Sequence, residues 1–151
     1  MSDPTCEQRW LAEKNSEIRT LRKLWTLYSS GNEDGDPDLG RFDEHGLSFD
    51  YVAPGTFNNQ KRGYWRYQIS WGGPSEEFRF YAEGPHQKWN SEETFQYANF
   101  RLTRIEYWFL DWFDGYGRKL VGKDESLLRE IWDYFLECGS VESEWKKASD
   151  E

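Results

Sequence analysis

The chain is predicted to fold as an α+β domain, a four-stranded antiparallel sheet (meander) flanked by an N-terminal and a C-terminal helix. Three observations carry this. Apolar residues near each end recur at three- and four-residue spacing, as Ile18, Leu21, Leu24, Trp25 and Tyr28 and again as Leu128, Ile131, Trp132 and Phe135, so each set shares one helical face. Between them the period drops to two, as in Trp65, Tyr67, Ile69 and Trp71, the mark of half-buried strands. Short turns join those strands, which suits antiparallel neighbours with the helices packed on the sheet.

The first helix is expected from Thr5 to Ser29, with Arg19, Arg22 and Lys23 facing solvent, Gly31 as the stop, and a less periodic first half that frays. Residues 32–46, rich in Gly, Asp and Pro, read as a loop. Leu47–Tyr51 alternates as the first strand, and Phe57–Gly63 is a polar connection. Tyr64–Trp71 and Glu77–Tyr81, with Phe78 and Phe80 inward, form a hairpin around Gly72-Gly73-Pro74-Ser75. Residues 83–100, holding His86, Trp89, Phe95 and Tyr97, read as a long polar insertion, a length that implies a short helix or a task. Leu102–Phe113 is apolar on both faces and is expected to be covered on both sides, with Asp114–Gly117 closing it. The second helix is expected over Asp124–Cys138 with Asp124 as N-cap, and Gly139 ends it. Residues 1–151 form a single domain, and 139–151 is expected to be a mobile acidic tail.

Composition excludes several classes. Twenty-eight of the 151 residues are aromatic, whereas Leu, Ile and Val number 12, 4 and 3. So aromatic a chain does not suit disorder. No apolar run approaches the roughly 20 residues that span a bilayer. No apolar segment follows Met1 as a secretory signal would require, so the expectation is a cytoplasmic protein without membrane contact. Cys6 and Cys138 form no ligand pattern and are expected as free thiols.

The net charge of −9 is unevenly distributed. Residues 31–50 hold seven acids against Arg41, and residues 124–151 hold nine against Arg129, Lys146 and Lys147. The rest carries 12 acids and 15 bases. Direct nucleic-acid binding favours a basic footprint, so a basic protein is the more natural partner.

Motifs for chemistry are weak. The loop Asn32–Asp38 has alternating acids, but as a calcium loop it would place Pro37 at the sixth position, where the sharp turn needs Gly. No nucleophile elbow or phosphate loop is present, and His45 and His86 read as loop residues without a role. Asp111 and Asp114 bracket a strand end, where an acid pair could serve hydrolysis, with Arg66 or Arg104 as a partner for Asp111.

The leading expectation is therefore a non-enzymatic acidic interaction protein, without cofactor or metal, that occupies a basic, nucleic-acid-handling surface of a partner. By charge analogy only, it stands beside inhibitors of the immunity, anti-restriction or anti-CRISPR kind. The residues expected to bind are the acids Glu33, Asp34, Asp36, Asp38, Asp43 and Glu44 of the loop, the outer helical row Glu130, Asp133 and Glu137, and the loop aromatics Trp89, Tyr97 and Tyr116. The alternative is a small-molecule or carbohydrate-binding domain with aromatic platforms, with Asp111 and Asp114 as acids. A homodimer through the second face of strand 102–113 is a third option.

Overall fold

Helix α1 (Cys6–Ser29) begins at a capping box: Gln8 N–H donates to the Thr5 hydroxyl at 3.2 Å, and Thr5 N–H donates to the Gln8 side chain at 2.9 Å. This start is why the first half is helical despite its weaker periodicity. It also buries Cys6 and Trp10, whose indole N–H reaches the Tyr107 carbonyl at 2.8 Å. The computed structural model describes residues 4–72, 74–89 and 95–149, without the side chains of 85–89, 95–99 and 149.

A four-residue helix α2 (Phe42–His45) precedes the sheet of β1 (Ser48–Val52), β2 (Tyr64–Ser70), β3 (Ser75–Trp89), β4 (Phe95–Asp111) and β5 (Asp114–Lys119). The strands lie in chain order, each antiparallel to the next, an α+β meander with helices at both ends. Two expectations need correction here. Residues 83–100 are not a separate insertion: 83–89 prolong β3 and 95–100 belong to β4, with Trp89 opposite Phe95 in the backbone pairing, and 90–94 lie outside the described residues. Asp114–Gly117 does not close the sheet but opens a fifth strand. Its glycines hid it, because strands are ordinarily recognised by β-branched and aromatic residues.

The inner face of the sheet carries Trp65, Tyr67, Phe78, Phe80, Ile105, Tyr107 and Phe109, all buried. Leu21 and Leu24 of α1 join that core, as do Leu128, Ile131 and Trp132 of α3 (Gly122–Glu137). Each such side chain contributes about 1.5–3 kcal/mol on burial. Aromatic rings replace the scarce aliphatics: Trp132 lies 5.3 Å from Trp65 and 5.4 Å from Phe80, and Phe135 stacks on Phe49 at 4.0 Å.

Three further expectations change at the ends of elements. Val121 is the N-cap of α3, and Asp124 sits inside its first turn, paired with Lys14 at 2.7 Å. Residues 140–149, expected as a tail, form α4 (Ser140–Ser149), whose Val141 is fully buried and accepts a hydrogen bond from the Trp65 indole at 2.9 Å. Asp150 and Glu151 lie outside the described residues. Trp71, Trp112 and Phe113, read as strand positions, instead occupy turns at one end of the sheet and are 76%, 89% and 103% exposed. Trp112 there adopts φ +57°, unusual for so bulky a side chain.

Candidate functional site

The two acidic blocks, distant in sequence, meet on the helical side of the molecule. Four rings form the seam: Trp25 and Tyr28 of α1, Phe42 of α2 and Tyr134 of α3. Phe42 lies 4.9 Å from Trp25, 5.3 Å from Tyr28 and 5.5 Å from Tyr134. Sequence patterning places Tyr134 one turn from Glu130 and from Glu137, so the outer row of α3 flanks the seam. Asp43 and Glu44 extend from α2 on its other side. The Trp25 indole N–H points to Glu130 at 3.5 Å, and the carboxylate of Asp43 acts on the Tyr134 phenol. That phenol is pushed up to about 12, mainly by burial, then by its hydrogen bond with Tyr28 and by nearby negative charge. Glu33, Asp34, Asp38, Asp43, Glu44, Glu130, Asp133 and Glu137 are all exposed.

Asp36 is the exception within the loop. It is buried, pairs with Lys23 at 2.9 Å, and accepts from the backbone N–H groups of Asp38 and Leu39 at 2.9 Å each. The Lys23 ammonium and these N–H donors hold its carboxyl below the usual carboxylate range. Its work is to fasten the acidic loop to α1. Among the described residues, no three His, Cys, Asp or Glu side chains gather into a metal-ligand set.

The expected aromatics fall elsewhere. Tyr116 lies on β5, half-buried and edge-on to Trp10 at 6.2 Å. The side chains of Trp89 and Tyr97 lie outside the described residues. Asp111 pairs with Arg9 at 2.9 Å rather than with Arg66 or Arg104. Asp114 accepts the Cys6 N–H at 2.8 Å, so these two carboxylates tie the start of α1 to the β4–β5 turn. His45, expected to be idle, pairs with the buried Glu17 at 2.7 Å. Cys6 and Cys138 are free thiols, the first buried and the second exposed.

The outer face of the sheet was not singled out from sequence. Here the loop between β1 and β2 and the strands border an open hollow of about 910 Å³. Gln60 pins that loop: its amide donates to the Arg62 carbonyl at 2.9 Å, and its carbonyl accepts from Phe57 N–H at 3.0 Å. Pairing register sets the floor in rows. One row reads Asp50, Arg66, Arg79, Glu106, Lys119 across the five strands, and the next reads Ser48, Gln68, Glu77, Trp108, Gly117.

Within that floor Arg79 lies 3.9 Å over the Trp108 ring and 4.7 Å over the Tyr64 ring, with Glu77 on its Nε at 2.6 Å. Asp50 grips Arg66 through two hydrogen bonds of 2.7 and 3.1 Å, which raises the guanidinium further above its already high range. Burial pushes the Tyr64 phenol up to about 12. Five cations (Lys61, Arg62, Arg66, Arg79, Arg104) and only two carboxylates (Glu77, Glu106) line the hollow. An alternating pattern reads every second residue of each strand as the solvent side; the signal that could have found this site is that arginines and aromatic rings recur among those positions, as Tyr64, Arg66, Arg79, Tyr81, Arg104 and Trp108.

Among the described residues, no helix is long and apolar enough to cross a membrane. Comparison with protein-family models, with curated proteins and with solved structures finds no match for this chain.

Proposed function

We propose that the chain is a non-enzymatic interaction protein whose acidic helical face occupies a basic surface of a partner protein. The observation that supports this reading is the convergence of two acidic blocks over the Trp25, Tyr28, Phe42 and Tyr134 seam. Exposed carboxylates border that seam: Glu33 and Asp43 line one hollow with Tyr28 and Phe42, Glu130 lies at the Trp25 indole, and Arg41 pairs with Asp43 at 3.0 Å. Basic surfaces of this size belong chiefly to proteins that handle nucleic acid, where carboxylates can take positions meant for phosphates. The role is then inhibition or immunity by occupation, in the cytoplasm. Charge steers the encounter, while the exposed Tyr28 and the half-buried Trp25 and Tyr134 supply contact area.

The test is capture from the cell of origin with the wild-type chain and with E130K/D133K/E137K as paired baits, both eluted by a salt gradient. All three side chains are exposed, so the variant is expected to stay folded, losing only the long Trp25–Glu130 hydrogen bond, with its melting temperature measured alongside. The expected result is a basic protein that the wild type releases only at high salt and that the variant binds at least tenfold more weakly, mostly through slower association. Equal retention by both baits contradicts the assignment of this face.

A further inference from the structure

We infer that the hollow on the outer face of the sheet is a second binding site, for a nucleotide-class ligand: a flat ring carrying phosphate. The inference is independent of the acidic face and rests on four features of the hollow. The first is an arrangement that a sheet ordinarily avoids. Arg66 and Arg79 are directly paired across β2 and β3, and like charges opposite one another destabilise a sheet. Each is fixed from the side by one carboxylate, Asp50 or Glu77, so the pair is held in place rather than splayed apart. Such a local conflict, retained at the centre of a concavity, is where a bound anion belongs.

The second feature is supply of further cations. Lys61 and Arg62 hang over the same floor from the loop that Gln60 fastens, and neither has a carboxylate partner among the described residues. In a chain of net charge −9, this concentration of positive charge in one hollow is not a consequence of composition. The third feature is ring surface. Trp71, 76% exposed, is free to stack on a flat ligand, and Phe57 of the loop, 51% exposed, also lines the hollow.

The fourth feature is size. From Tyr81 at the cationic end to Ser75 beside Trp71 is six residues along β3, about 20 Å at about 3.3 Å per residue. A volume of about 910 Å³ falls within the range of small-molecule pockets. These dimensions accommodate a ring near Trp71 and a phosphate chain toward Arg66, Arg79 and the loop cations. Charge-assisted bonds from guanidinium to phosphate are the strong, directional kind.

Isothermal titration of the full chain with ATP tests this, with adenosine, tripolyphosphate and a single-stranded oligonucleotide as parallel probes. The variants are Lys61→Ala/Arg62→Ala and Trp71→Ala, all on exposed side chains, with circular dichroism to verify the fold. The expected result is ATP binding tighter than about 1 mM, weakened at least tenfold by the double variant and several-fold by Trp71→Ala. Adenosine and tripolyphosphate, each offering half of the recognition, bind more weakly than ATP. Absence of ATP binding overturns the proposal, as does binding that neither variant alters. Tripolyphosphate binding equal to ATP overturns the ring assignment. Oligonucleotide binding without ATP binding overturns it in favour of a nucleic-acid site.

Discussion

A methyl group at position 117 would collide with the indole of Trp108, which lies flat over β5 where Gly117 has no side chain. That single absence lets Trp108 turn its other face to the Arg79 guanidinium. At Gly115 the same methyl would meet only the flexible end of Leu110, at 3.1 Å. Gly117→Ala is therefore expected to destabilise the chain by about 1–3 kcal/mol, lowering the melting temperature by roughly 3–10 °C. Gly115→Ala should change it by far less. Equal melting temperatures for the two variants would contradict this account of the outer face. None of this was legible in the sequence, where Gly115-Tyr116-Gly117 carries a turn signal and the ring that replaces the missing side chains sits on another strand. Asp111 and Asp114 illustrate a related blindness. Their spacing suggests an acid pair, whereas Arg9 and the Cys6 N–H, both from the start of α1, take up their charges.

Among the elements, the acidic loop shows how one buried carboxylate positions several exposed ones. Asp36 joins the loop to α1 through Lys23 and shapes the turn with the N–H groups of Asp38 and Leu39. Because its folded carboxyl titrates below its ordinary value of 3.8, its contribution is complete above that value and is lost as pH falls through the lowered one. Asp36→Asn keeps the acceptor for the two N–H groups but not the ion pair. Melting temperature followed from pH 6 down to about 2.5 should therefore show the wild type more stable near neutrality, and its advantage shrinking as the acid limb is entered. Parallel curves would mean that the Lys23 pair contributes nothing. The half-buried Glu76 titrates in the opposite direction, raised chiefly by desolvation, and its effect cancels between the two proteins. At this scale the sequence was a good guide wherever periodicity was strong: α1, α3, and the inner faces of β2, β3 and β4 lie where the spacing puts them. It failed where tertiary contacts decide. Helix α4 depends on Val141 packing under the Trp65 indole, and β3 and β4 continue through a polar stretch because each pairs with the other.

Across the whole molecule, two differently charged surfaces stand on different layers. On the helical side, carboxylates from both acidic blocks, Asp43 and Glu130 among them, lie at one aromatic seam, and the far side of the sheet presents arginines between rings. The sequence showed two acidic blocks on a slightly basic remainder, yet not that the two blocks would meet on the helical side while a cluster of cations gathered on the far side of the sheet. Summing charge along the chain hides the basic hollow, because its cations come from β2, β3, β4 and a loop. A chain built in this way has one face suited to a basic protein and another suited to a small anion. Hydrogen exchange on the chain, free and bound to the partner captured by its acidic face, tests this division most directly. The account predicts slowed exchange in α2 and in the outer turns of α3, around residues 42–45 and 130–137, with β2 and the 57–62 loop unchanged. Protection confined to β2, β3 and the 57–62 loop would contradict it, because the partner would then be seated in the hollow.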